Sequence, residues 1–331
     1  MAFMTLIAST VDQVEMTNLV GKLLLLLREG VGNFGWTVVV FTIILRFALL
    51  PLDIWQKFSM RKQQKKMAAL QPKLAKIQKQ YANNPEMLRQ KQYELQRSSG
   101  VNMLASCLPM IVTMVVFFVV FAGFRALVVY DNQLIVARLN DAYNEMVAAG
   151  ASAEEINAHL AAMYQPEGWL WIKNVHMSDI GTNVIPSYEN FISSGWGGIN
   201  ATLPNGLSAS YETLVGPAME IYNKQSFWDV ARWNGYFVLP ILAIATSFLS
   251  TMLLQKMQPQ TNMAVDEEQQ KAQQKSMKMM NYIMPLMLGV FAIMYSAAFA
   301  IYYVVSNILS TLTSVIFNLI IKKVDEKSAN A

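Results

Sequence analysis

An apolar stretch runs without interruption from Tyr282 to Ile321. As a single helix it would measure about 60 Å, twice the hydrocarbon thickness of a bilayer, so it must cross twice. Its least apolar point, Tyr295-Ser296-Ala297-Ala298, is the predicted turn, which leaves spans at 281–296 and 299–321. Three further runs reach crossing length: Gly35 to Trp55, Cys107 to Phe124 and Gly235 to Leu254. They define predicted spans at 35–55, 105–124 and 233–254. Hydrophobic residues make up 54% of the 331 and charged residues only 15%, which suits a polytopic membrane protein better than a soluble domain.

Basic residues resist translocation, so their distribution predicts orientation. Between Gln56 and Gly100 eleven Lys or Arg face two Glu, whereas Arg125 to Arg232 holds five Lys or Arg against eleven Asp or Glu. The first segment (56–104) is predicted to be cytoplasmic and the second (125–232) external. Five spans then put the N-terminal tail (1–34) outside and the short tail at 322–331 inside. The net charge of +4 is mostly this asymmetry and says little about nucleic acid. The single cysteine, Cys107, cannot form an intrachain disulfide. Met1 to Thr10 shows neither a basic n-region nor a small-residue cleavage site, so no cleaved signal is expected, and a bacterial plasma membrane is the simplest location.

Arg46 lies near the middle of the first span, between the interfacial residues Trp36 and Trp55. An arginine there costs about 2.5 to 3.5 kcal/mol on insertion scales. The nearest carboxylate, Asp53, shares its helical face, but two turns, roughly 10 Å, place it beyond direct pairing. Water is then the expected partner, which predicts a wet cavity inside the membrane. In the last span Asn307, Thr311, Ser314 and Asn318 recur at four, three and four residues as one polar stripe, with Ser306, Ser310 and Thr313 beside it. The third span adds Thr246, Ser247, Ser250 and Thr251, and the first adds Thr42 one turn before Arg46. Small hydroxyl residues in membrane helices most often only pack helix on helix. Two asparagines on one stripe are harder to place against lipid, and they match the need for a polar wall opposite Arg46. The predicted fold is therefore an all-α polytopic membrane protein, with five transmembrane helices around a hydrophilic groove and a cytoplasmic helical hairpin.

The hairpin occupies 56–104. Met60, Met67, Leu70, Leu74, Ile77 and Tyr81 form an a/d seam that Asn83-Asn84-Pro85 breaks, and Leu88 and Leu95 continue it on a return arm. Its other faces are almost all positive. A solvated surface accounts for that, and so does contact with anionic lipid or ribosomal RNA. In the N-terminal tail, Lys22 to Arg28 encloses five leucines, too few to span and suited to an interfacial helix. The 125–232 segment shows an amphipathic stretch near Asp131 to Val147, a capping box at Ser152 and Glu155, and turn signals at Gly195, Gly197, Gly198 and Asn205-Gly206. Its two histidines, His159 and His176, have no second ligand at metal spacing and read as structural. The connection at 255–280 is rich in Gln and Met.

From Gly32 onward the chain resembles the YidC/Oxa/Alb family of membrane protein insertases. GNFGWTVVVFTIILRFALLPLDIWQ followed by SMRKQQKKMAALQPKLAKIQKQY is similar to the family's first span and hairpin. GVNMLASCLPM, WLWIKNVHMSD, KSMKMMNYIMP and IYYVVSNILS resemble, in order, its approach to the second span, the segment leading out of its external loop, and its fourth and fifth spans. Departures are Thr113 and Val115 where the family often has Gln and Pro, and a Ser296-Ala297-Ala298 turn that lacks the common Pro and Gly. The long basic tail and the large folded domain of some members are not seen in these 331 residues, whereas the 125–232 segment is unusually long.

The resemblance implies a non-enzymatic insertase without cofactor, metal or nucleotide hydrolysis. No Walker loop, catalytic triad or metal cluster is visible in the sequence. Its groove is expected to open to cytoplasm and lipid, lined by Arg46, Thr42, Thr113, Ser247, Ser250, Tyr295, Asn307, Ser310, Thr311 and Ser314. Arg61, Lys62, Lys65, Lys66, Lys73 and Lys76 of the hairpin are expected to recruit client or ribosome, and Met277, Met279, Met280 and Met284 to offer an adaptable apolar surface or plain packing. Implied partners are nascent membrane proteins and the lipid bilayer, with the ribosome, the signal recognition particle pathway and the Sec translocon beside them, and no specific nucleic-acid sequence. A small-anion transporter or channel using Arg46 as its binding charge, and a purely structural assembly factor, are the competing readings. An odd span count and the lack of an internal repeat speak against the transporter.

Overall fold

The computed structural model describes residues 14–99, 103–181, 183–192, 203–257 and 295–329, with isolated positions 283, 287 and 290. The 258–280 connection, the four methionines from Met277 to Met284, most of the predicted fourth span and the three glycines from Gly195 to Gly198 lie outside these residues. Among the described residues there is no strand, only an isolated bridge between Trp169 and Ile172. Phe34–Gln80, Met114–Ala148 and Ala297–Val324 are long and apolar enough to cross a membrane, and Val238–Leu253 is a shorter apolar helix. The protein is an all-α polytopic membrane protein.

Its helices are α1 (Leu19–Val31), α2 (Phe34–Gln80), α3 (Pro85–Ser98), α4 (Met103–Ala148), α5 (Ala153–Met163), α6 (Tyr188–Ile192), α7 (Tyr211–Tyr222), α8 (Val238–Met257) and α9 (Ala297–Ala329). The predicted first span and first hairpin arm form one helix, α2, which carries Pro51 and Pro72 in its interior. The second span and the amphipathic stretch beyond it likewise merge into α4. Helix α9 begins at Ala297, inside the stretch where the sequence places a turn.

The chain forms two compact units. The first combines Met1–Ile43, Phe118–Thr246 and Leu288–Asn307, and the second Ile44–Phe117, Ser247–Met287 and Ile308–Ala331. In the first, α1 is opened by Asn18, whose side chain accepts from the Gly21 N–H at 3.0 Å, and closed by Gly32 at φ 82°, a left-handed position that suits glycine. Val128, Val136 and Leu139 on one face of α4 pack with Ile156 and Leu160 of α5 and Leu214, Val215 and Ala218 of α7. Leu139, Leu160 and Leu214 are almost wholly buried, each contributing about 2 kcal/mol. The Tyr211 hydroxyl donates to Pro186 O at 2.9 Å, and burial pushes this phenol and that of Tyr164 well above the ordinary value, so both stay neutral.

Helix α5 starts with the capping box predicted from Ser152 and Glu155. The Ser152 N–H and hydroxyl both donate to Glu155 Oε2 at 2.8 Å, and these two bonds hold the carboxyl below its ordinary value. A depressed carboxylate stabilises above the usual glutamate range and loses that contribution as pH falls through the lowered value. Acidification is therefore expected to fray the first turn of α5, read as a fall in the protection of the Ile156 amide relative to its intrinsic exchange rate at each pH. In Ser152→Ala the step should disappear; a step that persists would assign it elsewhere.

In the second unit the distal part of α2 and α3 form a hairpin. Asn84 caps α3 by accepting from the Met87 N–H at 3.2 Å, and Pro85 occupies its first turn, where no N–H is needed. Leu70 and Leu74 are buried, with Leu95 of the return arm packed against them.

Candidate functional site

Arg46 and Asp53 belong to the α2 part of the second unit. Arg46 Nη1 lies 3.9 Å from Asp53 Oδ2, and the two side chains are 24% and 25% exposed. The expectation that two turns separate them beyond pairing is thus corrected. Side chains lean toward the helix N-terminus, so Asp53 reaches back while the long guanidinium arm covers the remainder along the axis. At this separation the contact is an ion pair rather than a hydrogen bond. Gross attraction of roughly 4 kcal/mol at an effective dielectric of about 20, reduced by the partial exposure, is comparable with the insertion cost of the arginine. A carboxylate, in place of water alone, offsets that cost.

Polar residues of α8 and α9 in this unit bond both between the two helices and to the preceding turn of their own helix. Ser250 and Thr311 share a short hydroxyl–hydroxyl hydrogen bond between the two helices. Ser314 donates to Ser310 O at 2.7 Å, Asn318 to Ser314 O at 2.9 Å and Thr251 to Ser247 O at 2.9 Å. Ser247 and Ser314 are buried. In the first unit Thr42 is fully enclosed and donates to Val38 O at 2.6 Å. There Asn307 Nδ2 donates to Thr246 Oγ1 at 3.5 Å, and the Tyr295 ring packs edge-on against Phe121 at 4.6 Å. The Thr113 side chain lies outside the described residues. Of the hairpin cations, Lys62, Lys65, Lys73 and Lys76 are exposed, and Arg61 and Lys66 partly so.

Sequence reasoning missed a polar hub in the first unit, built on residues 167–179. The first N–H groups of a helix lack intrahelical acceptors, and this segment supplies them to three helices. Glu167 Oε1 accepts from the Phe34 N–H of α2 at 2.6 Å, and Gly168 O accepts from Asn33 Nδ2 at 2.9 Å. Asp179 Oδ2 accepts from the Leu239 N–H of α8 at 2.7 Å and from Trp171 Nε1 at 3.2 Å. Met177 O and Val175 O accept from the Ala297 and Ala298 N–H groups of α9 at 2.8 and 3.0 Å. The Glu167 and Asp179 carboxylates also complement the positive ends of the helix dipoles.

The hub is tied to α1 and α4 as well. Arg28 donates through Nη1 to both oxygens of Asp131, at 2.9 and 2.8 Å, and through Nη2 to Glu167 by a short bond. His176 Nε2 lies 3.3 Å from Asp131 Oδ2, and its ring lies 5.2 Å from that of Phe34. Asp131, Glu167 and His176 bring ligand-capable atoms within 4.8 Å of one another, a set that sequence spacing keeps apart. The Arg28 guanidinium already supplies the positive charge that a cation would bring there. His159 is exposed on α5. The missed signal was Asp131, an acid that follows closely on an apolar run.

Gly235 fits against this hub. A Cβ there would stand 1.8 Å from Asp179 Oδ1 and 3.0 Å from the Asp179 backbone. Gly235→Ala is expected to lower stability by about 3 kcal/mol by forcing Asp179 from the α8 terminus. Thermal unfolding of the purified protein checks this, and an unchanged midpoint would remove Asp179 from the capping scheme.

An ion pair within a helix long and apolar enough to cross a membrane, together with a basic helical hairpin and helix ends gathered on one polar segment, fits a multi-pass membrane protein. Residues 26–325 match the model of the 60Kd inner membrane protein family, and the chain belongs to that family. A Fusobacterium nucleatum protein named membrane protein insertase YidC is 40% identical over 112 residues, 34% of this chain and 53% of that protein. Proteins of the same name from Clostridium perfringens and Helicobacter pylori are 39% and 36% identical over 100 and 95 residues, 30% and 29% of this chain and 40% and 17% of theirs. These matches span about half or less of each relative's length.

Proposed function

We propose that this chain is an insertase of a bacterial cell membrane, which helps the apolar helices of nascent membrane proteins enter lipid without nucleotide hydrolysis. The Arg46–Asp53 pair carries the reading: a guanidinium within an apolar crossing keeps about a quarter of its side chain exposed despite having a carboxylate partner. Charged side chains in membrane-crossing helices face a water-filled cavity or the bundle interior rather than lipid, so that exposure favours a charge that meets a passing polar segment. In this reading Arg46, Ser250, Ser310 and Thr311 line a hydrophilic groove that shortens the path of a client's polar tail through hydrocarbon, while Ser247 and Ser314 are buried and serve helix packing. The excess of basic residues between Gln56 and Gly100 supports a cytoplasmic hairpin and C-terminus, with the N-terminus outside.

Proteoliposomes containing only this protein test the proposal. A small single-span client with an acidic translocated tail should become protease-protected above the protein-free level. Anion flux without insertion would overturn the insertase reading in favour of a transporter.

The exposed lysines of α2 are the natural contact for ribosomes in this scheme. Reversing Lys62, Lys65, Lys73 and Lys76 to Glu is expected to weaken ribosome co-sedimentation about tenfold or more at low salt, with the difference shrinking as salt rises. Equal sedimentation of variant and parent at low salt would exclude the hairpin as the contact.

A further inference from the structure

We infer that the aromatic loop before α8 is a membrane-interface anchor, which seats the first unit on the lipid headgroup region of the leaflet it adjoins. Trp228 is 82% exposed and Phe227 62% exposed, an unusual display for large apolar rings, and Tyr236 and Phe237 are also exposed. The rings form a relay: Trp228 meets Phe227 at 5.3 Å, Phe227 meets Trp233 at 5.7 Å, and Trp233 meets Phe237 at 6.4 Å. Phe237 immediately precedes the first residue of α8. On α8 itself Ile241 and Leu242 continue the exposed apolar surface. The loop therefore adjoins the surface that α8 presents to lipid, and this continuity selects the bilayer as the occupant. The inference rests on α8 being a membrane crossing.

Chemistry and rigidity agree with that occupant. Lys224 Nζ stands 5.8 Å from the Phe227 ring and 6.0 Å from the Trp233 ring, and such mixtures of aromatic rings and cations favour the boundary between acyl chains and water. Arg232 Nη1 donates to Glu220 O and Asn223 O at 3.1 Å, and Trp233 Nε1 to Phe227 O at 3.1 Å. These bonds hold the loop in shape, so its rings are presented without the ordering cost of a mobile segment.

Spin labels at Trp228→Cys, Leu249→Cys and Glu154→Cys, each on a Cys107→Ser background of the full chain in phosphatidylcholine–phosphatidylglycerol vesicles, test this by collision with oxygen and with a water-soluble nickel complex. Position 228 is expected to lose most of its nickel accessibility and gain oxygen accessibility relative to 154, with 249 deeper still. A nickel-accessible 228 beside a deep 249 would overturn the anchor while leaving the crossing intact. An aqueous 249 would overturn the crossing itself. Nickel protection at 228 with dipolar broadening between two labelled chains would assign the loop to a second copy and overturn the lipid assignment. Phe227→Cys gives the same reading if the Trp228 variant does not fold.

Discussion

Arg46→Ala is expected to reduce insertion of clients with acidic translocated tails about tenfold, equivalent to about 1.4 kcal/mol, while clients with neutral tails are affected less. Removing the guanidinium strips the span of its positive charge and leaves Asp53 without the ion pair it makes at 3.9 Å. The acidic tail then meets repulsion where it had met attraction. Arg46→Lys should retain most of the activity, because a positive charge at that depth matters more than a forked donor for a contact longer than a hydrogen bond. Reconstituted insertion assays with matched acidic and neutral tails measure the difference. Equal loss for both tails would mean that the pair serves folding only, and no loss for either would remove charge from the mechanism.

Arg28→Ala should lower the stability of the purified protein by about 3 kcal/mol. The guanidinium bridges Asp131 and Glu167, whose side chains are only 6% and 18% exposed. Breaking a buried charged network by removing one partner typically costs about 3 to 5 kcal/mol, and the 29% exposure of the Arg28 side chain points to the low end. Arg28→Lys should recover part of the loss, since an ammonium supplies the charge but cannot fork between two carboxylates. Thermal unfolding in detergent resolves both variants. An unchanged midpoint for Arg28→Ala would show that the hub holds without α1.

Features determined by nearby residues were legible in the sequence. The capping box at Ser152 and Glu155, the Asn83-Asn84-Pro85 break in the hairpin and the placing of Arg46 in an apolar run all depend on local chemistry. The continuity of α2 was not legible in the same way, because Pro51 and Pro72 lack the N–H that a helix interior needs and signal a break that the packed helix overrides. Pairing of Arg46 with Asp53 was missed because residue spacing counts helical turns and omits the direction in which side chains lean. Enclosure of Thr42 depends on neighbours that the sequence does not reveal. The 167–179 hub was least accessible: Arg28 finds its partners 103 and 139 residues away, and the second of them, Glu167, lies in a stretch with no helical or strand periodicity.

That hub also imposes an order of completion on a chain synthesised from its N-terminus. The acceptor for the Phe34 amide lies 133 residues downstream, so the opening turn of α2 exists well before its permanent partner and must rely on solvent meanwhile. The Leu239 and Ala297 amides meet the reverse circumstance, because Asp179 and Met177 have already been made when these later helices emerge. The earliest long helix thus waits for its cap, and the two later ones arrive at a finished berth.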